Sequence, residues 1–215
     1  DISIISISCF VCVGIIAIHP YQSRLAGNTK GKIQDLHSQM IPRVGSISII
    51  VGMLFSFFLP NNGNSSINLI ILASAIPVFI CGFMEDTGFS VSPLKRLVGA
   101  VASGALGSAL FGVWLTHINL AVVDDVMRLV PVAFILTIFA ATTLAHAYNL
   151  IDGLNGLSSG LAMISLVVIH LIALQVGDTE IASASKVLVC ALLGFWVVNF
   201  FTGRVFLGDA GAYFC

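Results

Sequence analysis

Seven long apolar segments constrain the fold more than any other feature of this 215-residue sequence. Each is close to the length of about 20 mostly apolar residues that a helix needs to cross a bilayer core about 30 Å thick. None of the segments contains an internal Asp, Glu or Arg. They run over Ile2–Ile18, Val44–Leu59, Ile67–Phe83, Leu97–Leu115, Leu129–Ala147, Leu157–Val176 and Lys186–Phe201.

The composition agrees with a membrane protein. Hydrophobic residues make up 58% of the chain and charged residues 9%, whereas a soluble domain carries about 25% charged residues. A net charge of -1 with no basic patch excludes a nucleic-acid partner, and no segment alternates as the strands of a membrane barrel do. We therefore expect an all-α, polytopic transmembrane helix bundle forming a single domain over residues 1–215. Because the sequence begins at Asp1 and stops within a polar motif, we also expect an internal fragment.

The positive charges are distributed unevenly between the connections. Those after the first, third, fifth and seventh segments carry seven of the nine Lys and Arg residues. The positive-inside rule predicts that these connections face the cytoplasm. The dense polar motifs lie in the same four connections, so we expect a functional site at the cytoplasmic face. The four connections are Pro20–Arg43, Met84–Arg96, Tyr148–Gly156 and Thr202–Cys215.

The third connection begins with two adjacent carboxylates, Glu85 and Asp86. Such a pair raises its own pKa values unless a cation lies between the two groups, and hard cations prefer oxygen ligands. A plain exposed helix end is the structural alternative. Lys95 and Arg96 follow at the start of the next segment, either as charges that orient the chain in the membrane or as phosphate contacts.

The fifth connection carries Asn149, Asp152 and Asn155 at every third position. On a helical or 3₁₀ turn this spacing places the three side chains on one side. Gly153 and Gly156 allow a ligand or backbone to approach closely. The set is suited to holding a base, a ribose or a metal ion.

The seventh and first connections add further candidates. Asn199 lies at a helix end, Phe206 can stack on a flat ring, and Asp209 lies between Gly208 and Gly211. In the first connection, His37 is titratable and Arg43 follows a rigid proline.

Four motifs together resemble one family of membrane enzymes. They are His-x4-Pro-Arg-x-Gly at 37–45, the acidic pair, Asn-Leu-Ile-Asp-Gly-Leu-Asn-Gly-Leu at 149–157 and Phe-Leu-Gly-Asp-Ala-Gly at 206–211. The sequence is similar to the polyprenyl-phosphate N-acetylhexosamine-1-phosphate transferases, which include bacterial enzymes that start O-antigen and other cell-wall polymers, and the phospho-N-acetylmuramoyl-pentapeptide transferase. The resemblance implies a multi-pass protein of the bacterial inner membrane with more helices than this chain contains, ten or eleven in the family.

The resemblance also implies an activity and a set of residue roles. The expected reaction transfers N-acetylhexosamine-1-phosphate from a UDP-sugar such as UDP-N-acetylglucosamine to undecaprenyl phosphate, with Mg²⁺ (or Mn²⁺) as cofactor. The implied catalytic residues are Glu85, Asp86, Asp152 and Asp209, and the implied metal ligands are Asp209, Asn149 and Asp152. A homodimer is compatible with the sequence. The implied substrate contacts are His37, Arg43, Lys95, Arg96, Asn149, Asn155, Asn199 and Phe206.

Two alternatives remain open at this point. A secondary transporter usually carries its charged groups near the bilayer midplane, whereas here the acidic residues gather at helix ends. A catalytically inactive family member is the other alternative, because Glu85 replaces the family's first Asp, His146 its Asn, and Ala210 its Thr.

Overall fold

The computed structural model describes residues 1–25, 41–59 and 65–215. These residues form α-helices and no strand, which confirms the predicted fold class. The helices are α1 (Ile2–Leu25), α2 (Ser46–Ser56), α3 (Ser65–Asp86), α4 (Pro93–Phe111), α5 (Ala121–Met127), α6 (Val130–Ile151), α7 (Leu157–Val176), α8 (Thr179–Thr202) and α9 (Gly208–Phe214).

Each of the seven predicted apolar segments overlaps one helix, but the helices differ in length. Five of them, α3, α4, α6, α7 and α8, are long and apolar enough to cross a membrane. The helix of the second segment, α2, has 11 residues and spans about 16 Å, roughly half the bilayer core. The short helices α5 and α9 lie outside the predicted segments.

Local sequence signals explain where the long helices begin and end. Helix α4 starts after Ser92, whose side chain accepts a hydrogen bond from the backbone N–H of Lys95, with Pro93 in its first turn. Asp178 caps α8 in the same way by accepting from the N–H of Ile181. Helices α7 and α8 end at Gly177 and Gly203, which have the left-handed conformation typical of helix ends.

The buried core lies around α8, which packs against α7, α1 and α2. Its Phe195 and Leu192 are fully buried together with Ile49 and Met53 of α2. On the other side, α3 packs against α4 and α9, and α4 packs against α6. Large apolar side chains on the outer faces of these helices are exposed, as expected of surfaces that contact lipid; they include Leu69, Ile80, Val98, Ile135 and Phe139.

Successive spanning helices run in opposite directions, so their connections alternate between the two ends of the bundle. The end of α3 and the start of α4 therefore lie at the same end as the polar turn between α6 and α7. The end of α8 and the start of α9 lie there too. Hydrogen bonds between these segments, described below, bring the predicted polar motifs into one region.

Candidate active site

A cavity of about 240 Å³ lies at this end of the bundle. Its walls come from three separate segments: the stretch before α2, the turn between α6 and α7, and the segment from the end of α8 to the start of α9. Many of the residues predicted to act on substrate or metal line it. The lining residues are Arg43, Asn149, Asp152, Gly153, Leu154, Asn155, Asn199, Phe206, Leu207, Gly208 and Asp209.

Backbone hydrogen bonds join the segment of Arg43 to that of Phe206. The N–H of Phe206 donates to the carbonyl of Pro42 over 2.9 Å, and the N–H of Gly45 donates to the carbonyl of Phe206 over 2.9 Å. A Cβ on Gly45 would approach that same carbonyl to 2.7 Å and contact the ring of Phe195. The glycine thus lets the two segments come close enough to form one wall.

The turn between α6 and α7 brings the three spaced polar residues to the cavity. Asn149 lies in the last turn of α6, Asp152 is the residue after the helix, and Asn155 lies in the turn that follows. Gly156 has φ of 74°, which favours glycine, and a Cβ there would come within 2.8 Å of Trp196 Nε1. The structure therefore brings all three residues to the lining of the cavity.

Asn199 connects two of the cavity's walls. Its side-chain oxygen accepts the N–H of Gly156 over 2.6 Å, and its amide nitrogen donates to the carbonyl of Val205 over 2.7 Å. The residue is 3% exposed. Although Asn199 lines the cavity, its amide is already engaged by the backbone of the protein.

Asp209 forms an ion pair with Arg96 of α4. The Nη1 atom of Arg96 lies 2.8 Å from Oδ2 of Asp209, and the two side chains are 24% and 22% exposed. Arg96 was predicted as a phosphate contact. In this structure its guanidinium pairs with Asp209, which was predicted as a metal ligand. Burial raises the pKa of the Tyr213 hydroxyl, and the positive charge of Arg96 acts in the opposite direction.

Tyr213 is a residue that sequence reasoning missed. Its hydroxyl lies 3.4 Å from Nδ1 of His146, and the two rings meet edge to face. The signal available in the sequence was weak, namely that His146 departs from the family's usual asparagine.

The two adjacent carboxylates of the third connection have different partners. Asp86 accepts the backbone N–H groups of Asp209 and Ala210 over 2.8 and 2.9 Å. Glu85 accepts the N–H of Val91 over 2.8 Å. Neither residue is part of the cavity wall.

Lys95 is a predicted substrate contact that is not brought to the cavity. The residue is exposed. Because neighbouring residues on a helix point about 100° apart, Arg96 can face the site while Lys95 faces away from it. His37 lies outside the described residues.

The electrostatics of the cavity favour a cation. The pKa of Asp152 is raised to about 6, mainly by burial and also by the negative charge of Asp209, while Arg43 acts in the opposite direction. A divalent cation between these carboxylates would relieve their repulsion.

The side chains that line the cavity suit some metal ions better than others. Among the described residues, no group of three His, Cys, Asp or Glu side chains comes together, so the cavity does not offer the ligands of a structural zinc site. Two carboxylates and nearby carboxamides do fit Mg²⁺, which typically takes one or two carboxylates and completes its shell with water and substrate phosphates.

Comparison with known proteins supports the resemblance. Residues 68–215 match the family described as glycosyl transferase family 4. A probable undecaprenyl-phosphate N-acetylglucosaminyl 1-phosphate transferase of Bacillus subtilis is 28% identical over 185 residues, covering 84% of this chain and 50% of that protein. The undecaprenyl-phosphate alpha-N-acetylglucosaminyl 1-phosphate transferase of Escherichia coli K12 is 28% identical over 213 residues, covering 97% of this chain and 58% of that protein.

This chain thus spans about half the length of the curated relatives that it matches. The matched region contains α4 to α9 together with nearly all of α3, and with them every predicted site residue except His37 and Arg43. The sequence resemblance to this group of transferases is confirmed. The chain belongs to glycosyl transferase family 4.

Proposed function

We propose that the whole protein transfers N-acetylhexosamine-1-phosphate from a UDP-sugar to undecaprenyl phosphate and releases UMP. The observation that carries the proposal is the cavity at one end of the membrane helices, where two carboxylates, an arginine, carboxamides and an aromatic ring come together. The names of the relatives point to the same reaction.

In the proposed reaction, an oxygen of the lipid phosphate attacks the phosphorus that carries the sugar. A new P–O bond forms, the P–O bond to UMP breaks, and UMP leaves with the bonding electrons. Both reactants are anions, so the site must hold two negative groups together against their repulsion. A polar cavity at the end of apolar helices suits this task, because the lipid tail remains in the membrane while its phosphate reaches the polar end.

Different residues of the cavity are suited to different parts of the substrates. Phe206 offers a ring for the uracil base, and Asn149 and Asn155 offer amides that can bond a base or ribose. Arg43 is exposed at the cavity wall and is suited to bidentate contact with a phosphate. Glu85 lies outside the cavity wall, and its role in orienting or deprotonating the lipid phosphate stays a prediction.

Asp152 and Asp209, with Asn149 beside them, are the residues that would hold Mg²⁺. The bound ion supplies positive charge that offsets the charge of the diphosphate. Mn²⁺ accepts the same oxygen ligands. Asp209 must then share its carboxylate between the ion and Arg96, which fixes its orientation.

We further propose that the site faces the cytoplasm of a bacterium from the inner membrane. The uneven distribution of Lys and Arg between connections supports this orientation. Reaction there would start the synthesis of a cell-envelope polysaccharide, O-antigen being one example.

The test is an assay of membranes that contain the whole protein, with undecaprenyl phosphate and labelled UDP-N-acetylglucosamine. We expect UMP and a lipid-linked product in equal amounts, and loss of both when Mg²⁺ is chelated. Neither product would form if the protein were a transporter or an inactive family member, and that result would contradict the proposal.

The donor sugar is tested in the same assay. We expect UDP-N-acetylglucosamine or its galactosamine epimer to react faster than the muramoyl-pentapeptide nucleotide. Two features of the sequence support this expectation. Pro42-Arg43 in the first connection is closer to the hexosamine transferases than to the Pro-Thr of the pentapeptide enzyme, and Asn155 stands where the pentapeptide enzyme carries Asp. Faster reaction of the pentapeptide nucleotide would reverse the assignment of the donor while leaving the reaction class intact.

A further inference from the structure

The carboxylate of Asp86 holds the start of α9. Asp86 is the last residue of α3. Its two carboxylate oxygens accept hydrogen bonds from the N–H groups of Asp209 and Ala210 over 2.8 and 2.9 Å. The first N–H groups of a helix have no partner within the helix. Asp86 lies 123 residues before Asp209 in the chain. It therefore supplies the hydrogen-bond acceptors that a capping residue next to the helix usually supplies.

The packing around these hydrogen bonds is close. A Cβ on Gly208 would lie 2.6 Å from Oδ2 of Asp86, and a Cβ on Gly82, one turn earlier in α3, would lie 2.5 Å from the nitrogen of Ala210. Ala210 itself is fully buried. The backbone of α9 thus lies directly on the last turn of α3.

This contact sets the direction of the Asp209 side chain. With its N–H bonded to Asp86, the residue presents its carboxylate to the cavity and to Arg96 on α4. Arg96 approaches from one side and Asp86 holds the backbone from the other. A shift of α9 relative to α3 would change the position of the Asp209 carboxylate relative to Asp152, which lines the same cavity.

We propose that Asp86 is a positioning residue that acts through Asp209, and that it is not the base for the lipid phosphate. Its carboxylate lies outside the cavity wall, and each of its oxygens is already engaged by a backbone N–H. The consequence for activity rests on the proposed function, because it assumes that Asp209 holds the metal. The structural part of the proposal is independent of the reaction.

The structural part is tested by hydrogen exchange in the whole protein without metal or substrate. In Asp86→Ala the peptide covering residues 208–214 should exchange at least about tenfold faster, since the N–H groups of Asp209 and Ala210 lose their acceptors. Asp86→Asn keeps one acceptor oxygen and should give an intermediate rate. Asp178→Asn removes a carboxylate from another helix start, that of α8, and should leave the exchange of α9 unchanged.

The functional part is tested by the Mg²⁺ requirement of Asp86→Asn in the UMP assay. Displacement of Asp209 should raise the Mg²⁺ concentration for half-maximal rate about tenfold or more, with most of kcat recovered at saturating Mg²⁺. A base, or a residue needed only for folding, would lower kcat and leave the Mg²⁺ requirement unchanged.

Two results would overturn the proposal. One is unchanged exchange of residues 208–214 in Asp86→Ala, and the other is faster exchange with an unshifted Mg²⁺ requirement. If the wild type releases no UMP, the proposed function fails while the exchange experiment still decides whether Asp86 holds α9.

Discussion

Asp209 combines three interactions that come from different parts of the chain. Its N–H bonds Asp86, its carboxylate pairs with Arg96, and that carboxylate also faces the cavity. Asparagine has nearly the same shape but no charge, so a substitution at this position separates electrostatics from packing.

We expect Asp209→Asn to lower the rate of UMP release at least about a hundredfold, a typical cost of removing a charge-stabilising group. The matched control is Asp125→Asn, because Asp125 also pairs with an arginine, Arg128, but is 68% exposed at a position away from the cavity. The control should keep the wild-type rate. Wild-type turnover in Asp209→Asn would remove this residue from the site.

Phe206 is the one aromatic ring in the wall of the described cavity. Replacing it by leucine keeps an apolar side chain but removes the flat face, so we expect the KM for the UDP-sugar to rise about two- to tenfold with little change in kcat. Steady-state kinetics measure both quantities. Phe58→Leu, at a side chain that is 81% exposed, serves as control, and an unchanged KM in Phe206→Leu would argue against stacking on the base.

At the scale of elements, the cavity depends on how the ends of helices are joined. Asn199 at the end of α8 binds the backbone of both the turn before α7 and the segment before α9. Trp196, one turn earlier, donates to the carbonyl of Gly156 over 3.1 Å. Helix α8 thus holds two loops of the cavity with two side chains on one face.

We expect Asn199→Ala to destabilise the protein, because it leaves the N–H of Gly156 and the carbonyl of Val205 without their partner. Each unsatisfied buried group costs about 1–3 kcal/mol, so the unfolding temperature in detergent should fall by several degrees. The KM for the UDP-sugar should rise as well, since both loops lose a fixed position.

The control for this prediction is Thr143→Ala. The hydroxyl of Thr143 bonds only within its own helix, to the carbonyl of Phe139 over 2.7 Å. An unfolding temperature of Asn199→Ala equal to that of this control would contradict the linking role.

At the scale of the whole molecule, the polar groups are concentrated at one end of the bundle while its sides remain apolar. The other end carries α5 and the acidic residues Asp124 and Asp125, with the solvent-exposed pair to Arg128. The two ends therefore face different compartments, and the orientation can be measured.

We expect a single cysteine at Ser90, in a cysteine-free background, to resist an impermeant thiol reagent in intact cells and to react after lysis. A cysteine at His117, at the opposite end, should react in intact cells. Both positions are exposed, so the difference reports the membrane side. The reverse pattern would exclude a site that uses cytoplasmic nucleotide sugars.

The sequence by itself determined the helical bundle and pointed to many of the residues that line the cavity. A long apolar segment in lipid must satisfy its backbone hydrogen bonds internally, and a helix does so without any distant partner. The period-three spacing of Asn149, Asp152 and Asn155 also depends only on local geometry, and it predicts that the three residues share a side.

The tertiary structure alone decided which polar groups meet. Arg96 and Asp209 are 113 residues apart in the chain, and Asp86 and Asp209 are 123 residues apart. The sequence alone does not specify that such distant residues are neighbours in space. Adjacent carboxylates therefore looked equivalent in the sequence, yet Asp86 binds α9 while Glu85 binds the N–H of Val91. Arg96 rather than Lys95 reaches the site because the packing of α4 against α3 and α6 determines which side of the helix faces inward.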